Sequence, residues 1–395
     1  MQKIIPHLYI FLWLLYYQQD GTTISRIILV LLLLMSLYYF GFALIRYRLP
    51  LPMKVLAILV IGWTFYGVYP ILDSGYEFLY IADTRSYVQP FTELKGIYCS
   101  ILPIFSFYVF TKRDVFTEKA VKRWFWAFLA MALFTYSQFH ESETLKYGKE
   151  EITNNYSYVI LSLLPFIPLY YKRPVLQYLI LSICLLCVLL GFKRGAILIG
   201  VIAAGWFIYT TFRSNNSMHS RKKIIRIVMV IIMLLLAVNA IYYLLNNSDY
   251  FNVRITNTVD GDTSGRDILY QSFLHHLLSE KNILNFLFGN GAYGTVRISG
   301  NYAHNDWLEI AIDYGLVFLI IYMFFWTSLF LLLWRSRNSS VYSMIITLFF
   351  IIYFLKTFFS MSYNNITIYA ACAFGYAFAR YTSYLKKNIT TTSPI

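Results

Sequence analysis

The sequence predicts an all-α, polytopic membrane protein of about 12 transmembrane helices, with one long outer loop that itself contains short helices. Three observations predict it. Only 13% of the 395 residues are charged and 58% are hydrophobic, whereas soluble domains carry about 25% charged residues. Apolar runs of spanning length recur along the chain; at about 20 residues each, 12 spans use roughly 240 residues and leave about 150 for loops and tails. A single long stretch, 246–311, interrupts the apolar pattern. This composition excludes an ordinary soluble enzyme and a disordered chain, and leaves no room for a large soluble domain.

The spans read in order at 4–19, 24–45, 52–72, 96–111, 122–139, 156–171, 175–191, 196–212, 225–245, 312–334, 341–358 and 366–384. The first runs into Tyr16-Tyr17-Gln18-Gln19-Asp20 with no small-residue cleavage site, so it reads as a span rather than a removable signal. The chain thus divides into helices one to nine (1–245), the loop (246–311), and helices ten to twelve with a tail (312–395). No internal repeat is visible.

Orientation follows from the basic residues, which gather in cytoplasmic loops. With the N-terminus inside, 21 of the 33 Lys and Arg fall on the inner side, and both termini are expected in the cytoplasm. The formal charge of +14 is then a matter of topology and anionic lipid, not of nucleic acid, for which no basic domain exists. The 12 outer cations include Lys95, Lys193, Arg194, Arg266, Arg297 and Lys356. Lys193-Arg194 makes up a whole outer turn between two apolar helices, which orientation alone does not require; it reads as headgroup snorkelling or as an anion site. Cys184 and Cys187 have C-x-x-C spacing but sit in a run of Leu and Ile, so they read as small buried hydrophobes, as do Cys99 and Cys372.

The loop begins with a polar stretch, Asn252 to Gly265. A helical pattern follows from Arg266 to His276, with Ile268, Leu269, Ser272 and Phe273 on one face. Ser264 and Gly265 precede it, which puts Arg266 in the first turn, where backbone N–H groups also attract anions. Next comes Phe288-Gly289-Asn290-Gly291 with Gly294, a tight turn that would let backbone approach a ligand. No strand precedes it, so it is not a nucleotide motif. Then follows His304-Asn305-Asp306-Trp307-Leu308-Glu309, leading through Gly315-Leu316 into the tenth span. His304 and Glu309 do not make the His-Glu-x-x-His zinc pattern. Asp260 and Asp262 lack the rest of a calcium loop and read as a solvated turn.

The ordered set of Phe192-Lys193-Arg194-Gly195-Ala196, Arg266 heading a helix, Gly289-x-Gly291, and His304-Asn305 to Glu309 followed by Gly315-Leu316 resembles the O-antigen ligase/polymerase family over about 190–320. Lys193 stands where that family shows serine. The resemblance implies an integral membrane glycosyltransferase using polyprenyl-diphosphate-linked glycans at the periplasmic face of the bacterial inner membrane, without metal or other cofactor. It implies Arg194 and Arg266 as diphosphate contacts and His304 as catalytic base, with Gly289, Gly291, Asn305 and Glu309 at the substrate site, and Asn305 or Glu309 orienting His304. The expected partners are an undecaprenyl-diphosphate-linked oligosaccharide, membrane lipid and a chain-length regulator protein, and no nucleic acid. The chemistry is coherent. Arginine forks stabilise a leaving diphosphate, and a histidine takes the proton of an attacking sugar hydroxyl. Direct displacement would invert the anomeric centre.

A polysaccharide flippase is the non-enzyme alternative, but it would place polar groups at mid-membrane rather than in one outer loop. An acid of the outer loop between the third and fourth spans, Asp73, Glu77 or Asp83, is a second enzymatic alternative. Within the family the chain reads as a polymerase, with ligase as the alternative; its richness in Ile, Tyr, Phe, Asn and Lys suggests AT-rich coding, in which polymerase genes often sit.

Overall fold

A computed structural model describes residues 2–19, 21–72, 79–81, 86–88, 90–147, 153–213, 220–261, 265–336 and 340–392. The expected all-α architecture is observed, and every one of the twelve apolar segments is helical. The first five helices are α1 (Ile5–Gln18), α2 (Thr23–Arg46), α3 (Leu51–Leu72), α4 (Pro90–Lys112) and α5 (Glu118–Tyr147). A short antiparallel hairpin, β1 (Leu79–Ile81) with β2 (Ser86–Val88), precedes α4. Then come α6 (Ser157–Leu161), α7 (Pro174–Leu190), α8 (Arg194–Arg213) and α9 (Ser220–Asn247). The long loop holds α10 (Asp249–Val259), α11 (Arg266–Ser279), α12 (Ile283–Phe288), α13 (Gly294–Ser299) and α14 (Asp306–Asp313). The chain closes with α15 (Gly315–Ser336), α16 (Val341–Phe359) and α17 (Ile368–Thr392).

Among the described residues seven helices, α2, α3, α4, α8, α9, α15 and α16, are long and apolar enough to cross a membrane. The chain is a polytopic membrane protein. Of the other expected spans, α1 and α7 are shorter, and α5 and α17 are long but carry polar ends. The segment expected at 156–171 is not one α-helix. It breaks after α6 into a 3-10 stretch, Leu164–Tyr170, because Pro165 and Pro168 lack the N–H that an α-helix needs. The buried Gln177 amide of α7 supplies one missing donor, to the Ile167 carbonyl at 3.1 Å.

The bundle is built around α4 and α17. Small residues let them touch: a Cβ on Gly375 would lie 2.4 Å from the Ile104 carbonyl oxygen, and Ala370, Ala371, Ala373 and Ala377 are all buried beside it. By contrast α9, the most apolar span, is only 11% buried and leaves most of its length outside the packed bundle.

The stretch read as polar loop after the ninth span is partly helical, as α10. The reason is hydrophobic: Phe251 packs with Leu244 and with Phe192 of the turn before α8. The helix expected from Arg266 is present, with Gly265 at its N-cap in the left-handed conformation. The loop is tied to the bundle at both ends of its second half. Tyr66 of α3 donates to the Phe288 carbonyl at 2.6 Å, and Trp307 donates through Nε1 to the Thr357 hydroxyl of α16 at 2.9 Å.

Candidate active site

One cavity of about 570 Å³ lies where the start of α4, the turn before α8, the start of α11, the 293–304 stretch and the end of α16 converge. Four cations line it, Lys95, Lys193, Arg266 and Lys356, together with His304. The one acid among its lining residues is Glu93, whose carboxylate accepts hydrogen bonds from the Tyr314 and Tyr363 hydroxyls. The walls therefore carry a strong excess of positive charge, which suits a multiply charged anion.

Local structure accounts for each cation. Lys193 is held in a tight turn after α7, where Phe192 has a positive φ of 52° and packs on α10. Arg266 opens α11 and donates to the Phe359 carbonyl at 3.2 Å, which ties the loop to the C-terminal end of α16. Lys356 lies one turn earlier on α16 and is 3% exposed. Its ammonium donates to the Asn365 carbonyl at 2.9 Å and sits over the Tyr158 and Tyr353 rings. Among the described residues no carboxylate forms an ion pair with it. Gly195 brings α8 to the same place: a Cβ there would meet the Tyr158 hydroxyl at 2.6 Å and Phe359 at 2.9 Å. Phe359 thus touches both the Lys193-Arg194 turn and Arg266.

His304 has φ of 51°, a conformation that non-glycine residues rarely hold. Tyr293, another lining residue, has φ of 61°. Such strain costs on the order of 1–3 kcal/mol and persists only where the surroundings over-determine it. Here the surroundings are α14. Glu309 is fully buried; its carboxyl oxygens accept from the Ala303 N–H at 2.7 Å and the Thr295 hydroxyl at 2.9 Å. Asp313 accepts from the Thr295 N–H at 2.8 Å. Asp306 accepts from the Tyr322 hydroxyl at 2.6 Å and from the N–H groups of Ser362 and Tyr363 at 2.7 and 3.1 Å. The three acids of one short helix therefore hold both the His304 segment and the 360–363 turn. Burial pushes the Asp306 carboxyl up to about 7 and that of Glu309 up to about 8, and holds the Asp313 carboxyl well above the usual carboxylate range.

The sequence-predicted residues separate into two groups. His304 and Arg266 line the cavity. Arg194 opens α8 and is not among the lining residues, whereas its neighbour Lys193, the departure from the family pattern, is. Asn305 caps α14, accepting from the N–H groups of Trp307 and Leu308 at 2.9 and 3.3 Å. Glu309 reaches Ala303, the residue before His304, through the backbone. Gly289 and Gly291 do not line the cavity either. They cross the end of α14, where a Cβ on Gly289 would lie 2.3 Å from the Asp313 carbonyl oxygen. The N–H groups of Asn290 and Gly291 donate to the carbonyls of Ile312 and Asp313 at 2.9 and 2.8 Å. Gly315, at φ 78°, completes this crossing, so the close approach these glycines allow is between two stretches of chain.

Sequence reasoning overlooked Lys95 and Lys356 as site residues. A signal for them existed, since both belong to the minority of cations on the outer side. Asp73, Glu77, Asp83, Asp262 and Ser264 lie outside the described residues. Among the described residues no group of three or more His, Cys, Asp or Glu side chains is placed to hold a metal ion.

Residues 179–323 match a family model described as O-antigen ligase. No curated protein matches the chain. The matched region runs from α7 through the first turns of α15 and contains Lys193, Arg266 and His304.

Proposed function

From the match of residues 179–323 to the O-antigen ligase family model, we propose that the chain is a surface-polysaccharide polymerase of the bacterial inner membrane. The observation that carries the reading is the cavity in which Arg266, Lys193, Lys356 and Lys95 face the same space as His304. Its substrates are undecaprenyl-diphosphate-linked glycans. The cations bind the donor's diphosphate, Arg266 as a planar fork and the lysines as point charges, with Arg194 behind Lys193 adding to the field. A hydroxyl oxygen of the acceptor repeat attacks the donor's anomeric carbon from the face opposite the diphosphate. The bond from that carbon to the phosphate oxygen breaks, undecaprenyl diphosphate leaves with the electron pair, and His304 takes the hydroxyl proton. The linkage inverts, and negative charge gathers on the diphosphate where the cations already stand. Glu309 and Asn305 act as positioning residues for the His304 segment.

The second reading is ligase, favoured by the printed description of the matching family; the donor chemistry is the same and the acceptor is lipid A–core. The surface polysaccharide of a deletion strain separates the two. A single repeat on core supports polymerase, whereas lipid-linked polymer above a bare core supports ligase. In this reading the termini are cytoplasmic and the loop, 246–311, is periplasmic. In intact cells a Leu278→Cys variant, at an exposed position of α11, should react with a membrane-impermeant thiol reagent, and Ile45→Cys should not. The reverse pattern overturns the orientation.

A further inference from the structure

A second cavity of about 380 Å³ adjoins the first. Lys95, Gly96, Asn155, Val159, Asn364 and Thr367 border both. Its walls come from the same end of the bundle as His304: the last turns of α1, the first half of α4, Thr135 of α5, the segment that leads into α6, and the turn between α16 and α17 with the start of α17.

Its chemistry differs from that of the first chamber. Lys95, on the shared wall, is its one cation among the lining residues. The rest of the wall sets ring faces, with the aliphatic side chains of Val159 and Ile366, among neutral polar groups. Trp13 is buried and stands against Tyr16 and Tyr17, with ring centroids 5.8 and 5.9 Å away. Tyr156 and Tyr369 face the same space. Between them lie the amides of Asn155, Asn364 and Asn365 and the hydroxyls of Ser100 and Thr135.

Three occupants can be weighed on this chemistry. A second diphosphate would find a single cation. A polyprenyl chain would cover the amides without offering them a hydrogen bond, which costs free energy at each one. Sugar rings satisfy both halves of the wall, since their C–H faces stack on aromatic rings and their hydroxyls pair with amides. The volume is that of a ligand cleft rather than a water site.

We infer that this second chamber is a glycan subsite, which holds sugar rings of a lipid-linked repeat while a diphosphate occupies the cation-lined chamber beside it. The inference rests on the proposed function. Two sources carry the same chemistry, the donor's chain and the acceptor's repeat.

The test uses the full-length protein in lipid nanodiscs and two separate probes. One is the oligosaccharide released by mild acid from the producing cells' own lipid-linked repeat; the other is undecaprenyl diphosphate without sugar. Tyr16→Ala removes a ring face, and Thr135→Leu fills the chamber away from the shared wall. Each should weaken oligosaccharide binding about tenfold or more, close to 1.4 kcal/mol, and leave undecaprenyl diphosphate binding within twofold. Lys356→Met should do the opposite. In turnover assays a raised KM for the acceptor assigns the chamber to the acceptor's sugars, and a raised KM for the donor assigns it to the donor's. Oligosaccharide that binds both chamber variants as it binds the native protein overturns the glycan subsite and leaves the diphosphate reading intact. Undecaprenyl diphosphate that binds native protein and Lys356→Met alike overturns the diphosphate reading instead.

Discussion

The cation wall and the acid frame of the candidate site come from different elements, and they satisfy their polar groups in opposite ways. Lys193, Arg266 and Lys356 face the cavity, and the Lys356 ammonium is held by a backbone carbonyl and two rings, with the Asp306 carboxyl acting on it from a distance. Asp306, Glu309 and Asp313 are buried and accept hydrogen bonds from backbone N–H groups and hydroxyls. Cations gathered on one cavity wall are poised for an anionic ligand. An acid saturated with donors is a structural clamp. Charge at this site must be sorted by what satisfies it, not by where it falls in a motif.

Breaking the frame gives the largest expected effect. Glu309→Ala strands the Ala303 N–H and the Thr295 hydroxyl, each at about 1–3 kcal/mol. It should melt the 293–304 segment, abolish polymer formation, and expose that segment to limited proteolysis. A Glu309→Ala protein that keeps native protease resistance while losing activity would make Glu309 part of the chemistry and erase the contrast.

Breaking the wall should leave the fold alone. His304→Gln keeps a hydrogen-bonding side chain but cannot take a proton at neutral pH, so turnover should fall by about 10²-fold or more with native melting behaviour. Arg266→Lys keeps the charge and loses the fork, and should lose most of the activity. Near-normal turnover by His304→Gln, assayed in vitro with purified protein and lipid-linked repeat, would remove the histidine from the mechanism.

Gly289→Ala should act like a frame variant although glycine carries no charge. Its Cβ would meet the Asp313 carbonyl oxygen at 2.3 Å, at a φ of 78°, so it should cost on the order of 1–3 kcal/mol. Thermal unfolding that matches the native protein would show that the chain crossing can relax.

The pH dependence of stability gives the most specific test. The folded protein holds the Glu309 proton up to about pH 8 because burial, with Glu93 and Asp306 nearby, disfavours the carboxylate; an unfolded chain releases it near pH 4. Between those values the native state binds more protons, so stability should decline as pH rises, by at most about 1.4 kcal/mol per pH unit from this group. Below pH 4 and above pH 8 its contribution levels off. Glu309→Gln should flatten the slope between pH 5 and 8. A slope unchanged by that substitution assigns the proton to a different group.

The composition determined the class of this protein, because membrane insertion is a property of apolar length and charge density that can be read residue by residue. The motif spacing also placed Arg266 at a helix start and His304 in the loop that faces the cavity, since caps and turns are local. Local sequence could not decide between Lys193 and Arg194, because one step around a turn reverses which side chain faces inward. Nor could it find Lys356, whose partners are 9 and about 200 residues away, or show that the two glycines serve a crossing with α14 instead of a ligand. Hydropathy likewise could not rank the spans. It scores α9 as the most apolar, while α17, with its run of alanines, is the helix packed at the centre. Lipid and protein interior are equally apolar solvents, so only tertiary packing distinguishes the helix that faces one from the helix that faces the other.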